Sequence, residues 1–347
     1  MLHLRHAASL AIVAFLVLPA LARPSADEPP VTPGTTAAAP EAPPRPEGRE
    51  LGGHLFMPSL GITGPFATTS FGTWLLLGAG STTGSVTLQL PGTPPPPPQT
   101  FTGNVSYGAV GGVLGYEVEF LRGVSARFAL TETLYTGTSG AAAAVVGTNV
   151  RLGLGVGLTA GMPIGDSVRV AAVVDATYAP QIGLLFGPAI KSAYDSCSTG
   201  VANCKFDFGQ LFQQNNVFQL QPGVAASWAP LRSLGLTGNL TYNYASLDTS
   251  SGGTVTQTGV TAGAAMDFDF KMVSSVPLGL QISINGLFPI SGSTASRYAD
   301  LGGGLFYTGR KDVSVGLQFI DRRFKVDPAV DVSWKTFLAL IGLRYYW

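Results

Sequence analysis

A hydrolytic site needs a base beside its nucleophile, and near neutral pH that base is usually histidine. The sequence holds three histidines, His3, His6 and His54. The first two stand in an N-terminal leader, and His54 precedes every long alternating segment, so no serine–histidine pair can be placed on the scaffold that follows. No catalytic residue is assigned and enzymatic activity is not expected. Cys197 and Cys204 are the two cysteines. With no histidine near them they cannot supply the four ligands of a structural zinc site. In an exported chain the pair suits a disulfide that closes one small loop. The sequence has no phosphate loop, dinucleotide fingerprint or calcium loop, so no metal or cofactor is expected.

What remains is a set of charged residues on the small-residue faces of alternating segments. Glu117, Glu119, Arg127, Arg169, Asp267, Asp269 and Arg344 fall toward one end of those segments. Arg151, Asp175, Asp300 and Arg322 fall toward the other. Charges of both signs facing each other across a lumen would set a transverse field that orients polar solutes. Paired with one another, the same charges would fill the lumen as a hydrogen-bonded plug. Gly153, Gly155, Gly157, Gly263, Gly302 and Gly304 share that face. The space they leave is either open to solute or filled by another part of the chain.

These residues need strands to position them. Over Val150 to Met162, Val150, Leu152, Leu154, Val156, Leu158, Ala160 and Met162 fall on one side, with Arg151, Gly153, Gly155, Gly157, Thr159 and Gly161 on the other. Segments from Val168, Leu234 and Leu278 alternate in the same way. From Phe66 onward there are about twelve such segments, each near the length of a tilted membrane strand. Short links at Arg122-Gly123, Pro163 to Ser167, Pro230 to Ser233, Val273 to Val276 and Gly309 to Asp312 alternate with longer ones. The longer ones are Gly80 to Gly103, Gly137 to Thr148, Pro180 to Asn216, Asp248 to Gly253, Pro289 to Ser296 and Lys325 to Asp331. This is the pattern of periplasmic turns and extracellular loops. The expected fold is therefore all-β, a transmembrane antiparallel up-and-down barrel of about twelve strands, both termini periplasmic. Aromatics near strand ends, among them Phe71, Tyr107, Tyr178, Trp228, Tyr242, Tyr307 and Tyr345, are expected to form its girdles.

Composition agrees. Formal net charge is +0, which argues against a nucleic-acid binder. Charged residues make up only 12% of the chain, and its 45 glycines suit crowded strands and turns. Residues 1–22 read as a signal peptide, with an apolar run from Ala7 to Leu18 and a small-x-small cleavage site at Ala20-Leu21-Ala22. Residues 23–50, rich in Pro and Ala, read as a disordered linker. Residues 51–65 are apolar but broken by Pro58 and Pro65. They would either start the barrel or fold into its lumen as a hatch. Residues 66–347 would form the barrel itself.

The last strand, Ser333 to Trp347, puts Phe337, Ile341, Leu343, Tyr345 and Trp347 on one apolar face and ends on an aromatic. It resembles the closing strand of bacterial outer-membrane β-barrels, whose terminal aromatic belongs to the signal read by the barrel-assembly machinery. The resemblance implies a Gram-negative outer-membrane location, with outer-membrane lipid, lipopolysaccharide and that machinery as partners; it leaves the oligomeric state open. The expected function is a porin or channel for small polar solutes. Two alternatives are a structural or surface-interaction barrel with a blocked lumen, and a transporter of hydrophobic substrates resembling the long-chain fatty-acid type, with residues 51–65 as its hatch. The loop from Pro180 to Asn216, with Cys197, Cys204 and several aromatics, would constrict the pore, contact ligand or cap its neighbours.

Overall fold

The computed structural model describes residues 48–88, 99–138, 147–184, 212–248, 253–292, 297–325 and 333–347. The signal peptide, nearly all of the linker, Cys197 and Cys204 lie outside the described residues. Two short strands, β1 (Glu50–Leu51) and β2 (His54–Leu55), form a hairpin. Its turn is Gly52-Gly53, with φ of 58° and 80°. Two central residues at positive φ give the mirror-image turn that matches strand twist, and glycine adopts it without strain.

Twelve strands follow: β3 (Ser70–Leu88), β4 (Gln99–Leu121), β5 (Val124–Gly137), β6 (Thr148–Ile164), β7 (Val168–Leu184) and β8 (Phe212–Leu231). The series continues with β9 (Leu234–Asp248), β10 (Thr254–Asp269), β11 (Leu278–Gly292), β12 (Arg297–Tyr307), β13 (Val313–Lys325) and β14 (Ser333–Tyr346). Each pairs antiparallel with its neighbours in sequence, and β14 pairs with β3 to close the barrel. The closing ladder runs from Ser333 opposite Thr83 to Tyr346 opposite Ser70, and the Trp347 N–H donates to the Thr69 carbonyl. Closure leaves no strand edge.

Alternation sorts the side chains as the sequence implies, with the apolar set outside. Leu154, Val156, Leu158, Ile282, Ile284, Leu301, Ile341 and Leu343 are each about half exposed or more. A continuous apolar exterior is the inverse of a soluble protein and is a surface for hydrocarbon. No described helix is long and apolar enough to cross a membrane.

Three expectations need correction. The segment Gly80 to Gly103 is mostly strand, because β3 runs to Leu88 and β4 starts at Gln99, in a hairpin that outruns its neighbours. Likewise β7 continues through Pro180 to Leu184 and β8 begins at Phe212, which shortens the longest connection. Pro180 is tolerated because the β6–β7 register passes from Arg151–Gln181 to Leu154–Tyr178, omitting the pairs between. A proline's missing N–H does no harm at such a gap. Tyr107 belongs to no girdle: it is 2% exposed and faces inward.

Candidate functional site

The lumen is built from the inward faces of the twelve strands and from residues 48–69, which run inside them before β3 begins. His54 and Phe56 lie against Gly235 of β9, where any Cβ would strike both rings. Met57 lies against Gly279 of β11. The Met57 N–H donates to Asp267 Oδ2 at 3.1 Å, and Gln281 donates to both the Met57 carbonyl and Asp267 Oδ1, at 3.2 and 2.7 Å. Gln318 holds the Pro58 carbonyl at 2.9 Å. Ile62 fills the space beside Gly263, Thr63 donates to Asp175, and Arg169 donates to the Pro65 carbonyl. Last, Thr68 binds Glu117 through its N–H and its hydroxyl. Leu51, Leu55, Phe56, Met57 and Ile62 are all buried. Each such side chain taken from water contributes about 1.5–3 kcal/mol. Pro58 and Pro65 keep the segment out of the strand ladder and free its carbonyls for Gln318 and Arg169.

The charged residues singled out above fall into four groups. Arg127 pairs with Asp175 at 2.8 Å, spanning β6 over Gly157, and Arg322 grips Asp300 through two bonds of 2.8 and 2.6 Å. Glu117, Asp267 and Arg169 bind the luminal segment. Glu119 and Asp269 accept from the backbone of their own turns, at Gly123 and Lys271. Arg344 packs on Gly72, and Arg151 stands half-buried on the inner wall between Thr133 and Gln181.

The inward glycines make room that neighbours use. A Cβ at Gly153 would strike Thr131, at Gly157 Asp175, and at Gly302 Ser283. Three aromatics the sequence did not flag as luminal lie directly across the ladder from a glycine: Trp74 opposite Gly342, Tyr107 opposite Gly80, and Phe306 opposite Gly316. A ring folded over a glycine covers backbone that would otherwise lack packing. With Met57, Ile320, Leu338 and Leu340 buried beside Trp74 and Phe306, and Leu60 packed on them, this side of the lumen is apolar.

Across from it the wall is polar, with Gln219, Gln221, Thr237, Asn239, Thr241 and Asn285. Between this wall and the segment lies a cavity of about 410 Å³, which both ion pairs border through Arg127, Asp175 and Arg322. Its lining combines amides and hydroxyls with Arg49, Arg127, Arg322, Arg344, Glu117 and Asp175, and the segment adds the apolar Phe56, Met57, Ile62 and Phe66. A smaller space of about 180 Å³ lies by Trp74, Gly115 and Arg344.

No protein-family model matches the chain, and no curated protein matches it. Among solved structures it is similar to the transport unit of the autotransporter AIDA-I from Escherichia coli, at 10% identity and TM-score 0.45, covering 85% of this chain and 95% of that one. It is also similar to the P. putida toluene transporter TodX, at 8% identity and TM-score 0.40, covering 82% and 93%. A third is the KdgM porin in complex with disordered oligogalacturonate, at 10% identity and TM-score 0.36, covering 78% and 99%. These are loose likenesses of barrel to barrel; the twelve-strand closed architecture rests on the strand ladder itself.

Proposed function

We propose that the chain is an outer-membrane channel for small polar solutes in which residues 48–69 act as a luminal hatch. The observation that carries this reading is the cavity between a polar wall and a segment pinned to the barrel by side chains. In this reading the end with short turns and both chain termini is periplasmic, the long connections are extracellular, and the apolar exterior contacts lipid. The leader directs export, and Phe337, Ile341, Leu343, Tyr345 and Trp347 supply the signal for barrel assembly. A Cys197–Cys204 disulfide restrains the loop that carries it. In this reading the role is not catalytic, which agrees with the burial of His54.

A second reading has one observation in its favour. The apolar wall around Trp74, Phe306 and Leu340 is covered by Met57 and Leu60, so hatch displacement would uncover a path for an apolar molecule. Planar-bilayer recording separates the two. The full-length protein is expected to show small conductance, rising several-fold when residues 48–65 are deleted, with ion preference altered by Asp175→Asn. Silence in both proteins would reject a channel and leave a structural barrel. Uptake of a monoaromatic compound but not of a sugar by the deleted form would favour the second reading.

A further inference from the structure

Among the described residues, every lysine or arginine on the outward face of a strand lies on β12, β13 or β14: Arg297, Arg323, Lys325 and Lys335. The register brings them together. Arg323 is directly opposite Lys335, and Lys325 is directly opposite Arg297. Arg323 and Lys325 are two residues apart on one strand, about 6–7 Å. Like charges directly opposite each other destabilise a sheet. Among the described residues Asp321, at 3.2 Å from Arg323, is the carboxylate of this face that offsets them, and the Arg323 side chain is still 70% exposed. The patch borders the apolar exterior: Phe319 and Phe337 stack with centroids 5.9 Å apart on the rungs next to it, and Leu301 is 59% exposed. It stands at the end of the barrel that carries the long connections.

A general interfacial role would spread such cations around the girth, since long basic side chains anchor at any headgroup. Confinement to three neighbouring strands, with cations set in repulsive pairs, calls for a multivalent anion. Arginine's planar fork matches phosphate, and lysine adds a point charge. We propose that Arg297, Arg323, Lys325 and Lys335 form a site for the phosphorylated headgroup of an outer-leaflet lipid, whose acyl chains lie along Leu301, Phe319 and Phe337. This rests on the orientation proposed above, which puts the patch at the outer leaflet.

The test uses the full-length protein in detergent with bisphosphorylated lipid A as probe, and native mass spectrometry to count retained lipid. Wild type is expected to retain it roughly thirtyfold better than Arg323→Ala/Lys335→Ala, the loss typical of two basic residues at an anionic surface. Lys271→Ala, at the opposite end, is expected to behave as wild type. Equal retention by wild type and double variant overturns the site, as does equal retention of dephosphorylated lipid A or displacement by millimolar inorganic phosphate. A second readout removes the structural explanation. In lipid-free detergent Lys335→Ala is expected to leave the melting temperature unchanged or raise it, because a like charge opposite Arg323 is gone. With lipid A present it is expected to lower it, and an equal drop in both conditions overturns the proposal. Heat-modifiable gel migration keeps the two questions apart: a folded barrel that ignores lipid A defeats this site alone, whereas a chain soluble without detergent defeats the membrane reading.

Discussion

On β3, β4 and β12–β14 the lumen is walled by Trp74, Tyr107, Phe306, Ile320, Leu338 and Leu340, with rings laid over glycines of the next strand. On β8–β11 it is walled by Gln219, Gln221, Asn239, Thr241, Asn243 and Asn285, amides and a hydroxyl that border the cavity or, as Gln219 does to Asn243, bond to a neighbour. The first wall is a core placed on the inside of a barrel, closed by packing. The second is a polar surface that borders a cavity and that residues 48–69 lean on. In the proposed reading one barrel separates two tasks, stability on one side and passage on the other, and the hatch is the element that touches both.

The largest effect expected from this contrast is on stability. Trp74→Ala or Phe306→Ala would leave a cavity over a bare glycine and is expected to cost about 3–5 kcal/mol. Asn239→Ala, on the polar wall, is expected to cost about 1 kcal/mol or less, since water can replace its amide. Urea unfolding in vesicles, followed by circular dichroism, measures both. Equal costs would abolish the distinction between the walls.

The next effect is on the hatch. Asp267 accepts from the Met57 N–H and from Gln281, all buried. Asp267→Leu leaves both donors unpaired, at about 1–3 kcal/mol each, and is expected to undock the segment without unfolding the barrel. Asp267→Asn keeps the acceptor oxygen and is expected to do less. Hydrogen exchange over residues 48–65 reads the difference, and unchanged protection in the leucine variant would show that apolar packing alone holds the hatch. Gly235→Val probes the same docking from the apolar side, because its side chain would occupy the place of the His54 and Phe56 rings. It is expected to raise conductance toward that of the deletion.

Much of the barrel was legible in the sequence, because strand alternation and link length are local properties. Val150 to Met162 declares its faces without reference to any neighbour, and Arg122-Gly123 declares a turn. Tyr107 shows where local reading stops. As an aromatic near a strand end it looks like a girdle residue, and only the register that sets it opposite Gly80 turns it into the lumen's lining. The charges met the same limit. Alternation puts Arg127 and Asp175 on one face, but their pairing across β6 depends on Gly157 lying between them. Residues 51–65 could be set apart from the linker, as a start of the barrel or a hatch, yet their partners, Asp267, Gln281, Gln318 and Arg169, are spread over 150 residues from Arg169 to Gln318 and carry no local mark.

The smallest effect tests the hatch from its own side, through pH. Because a carbonyl only accepts, His54 Nδ1 must carry the proton it donates to the Arg232 carbonyl, at 3.1 Å. Nε2 is buried without a partner, and the ring stands edge-on to Phe56 at 4.8 Å. Protonation would bury a second N–H with no acceptor. Burial therefore holds the His54 pKa below its ordinary value of 6.5, against the bond to the Arg232 carbonyl and the pull of Asp269, both of which raise it. Between the two values the undocked hairpin binds more protons than the docked one, so docking gains stability as pH rises. The contribution is fully present above about 6.5, and it is lost as pH falls through that value toward the lower, docked one. One proton limits the change in the open population to about tenfold per pH unit. Conductance of the full-length channel is expected to rise on acidification of the side bearing residues 48–55, and His54→Gln, which can still donate to the Arg232 carbonyl, is expected to flatten the profile. A profile that keeps its slope in the glutamine variant would assign the proton to another group and leave His54 as packing for the Gly235 contact.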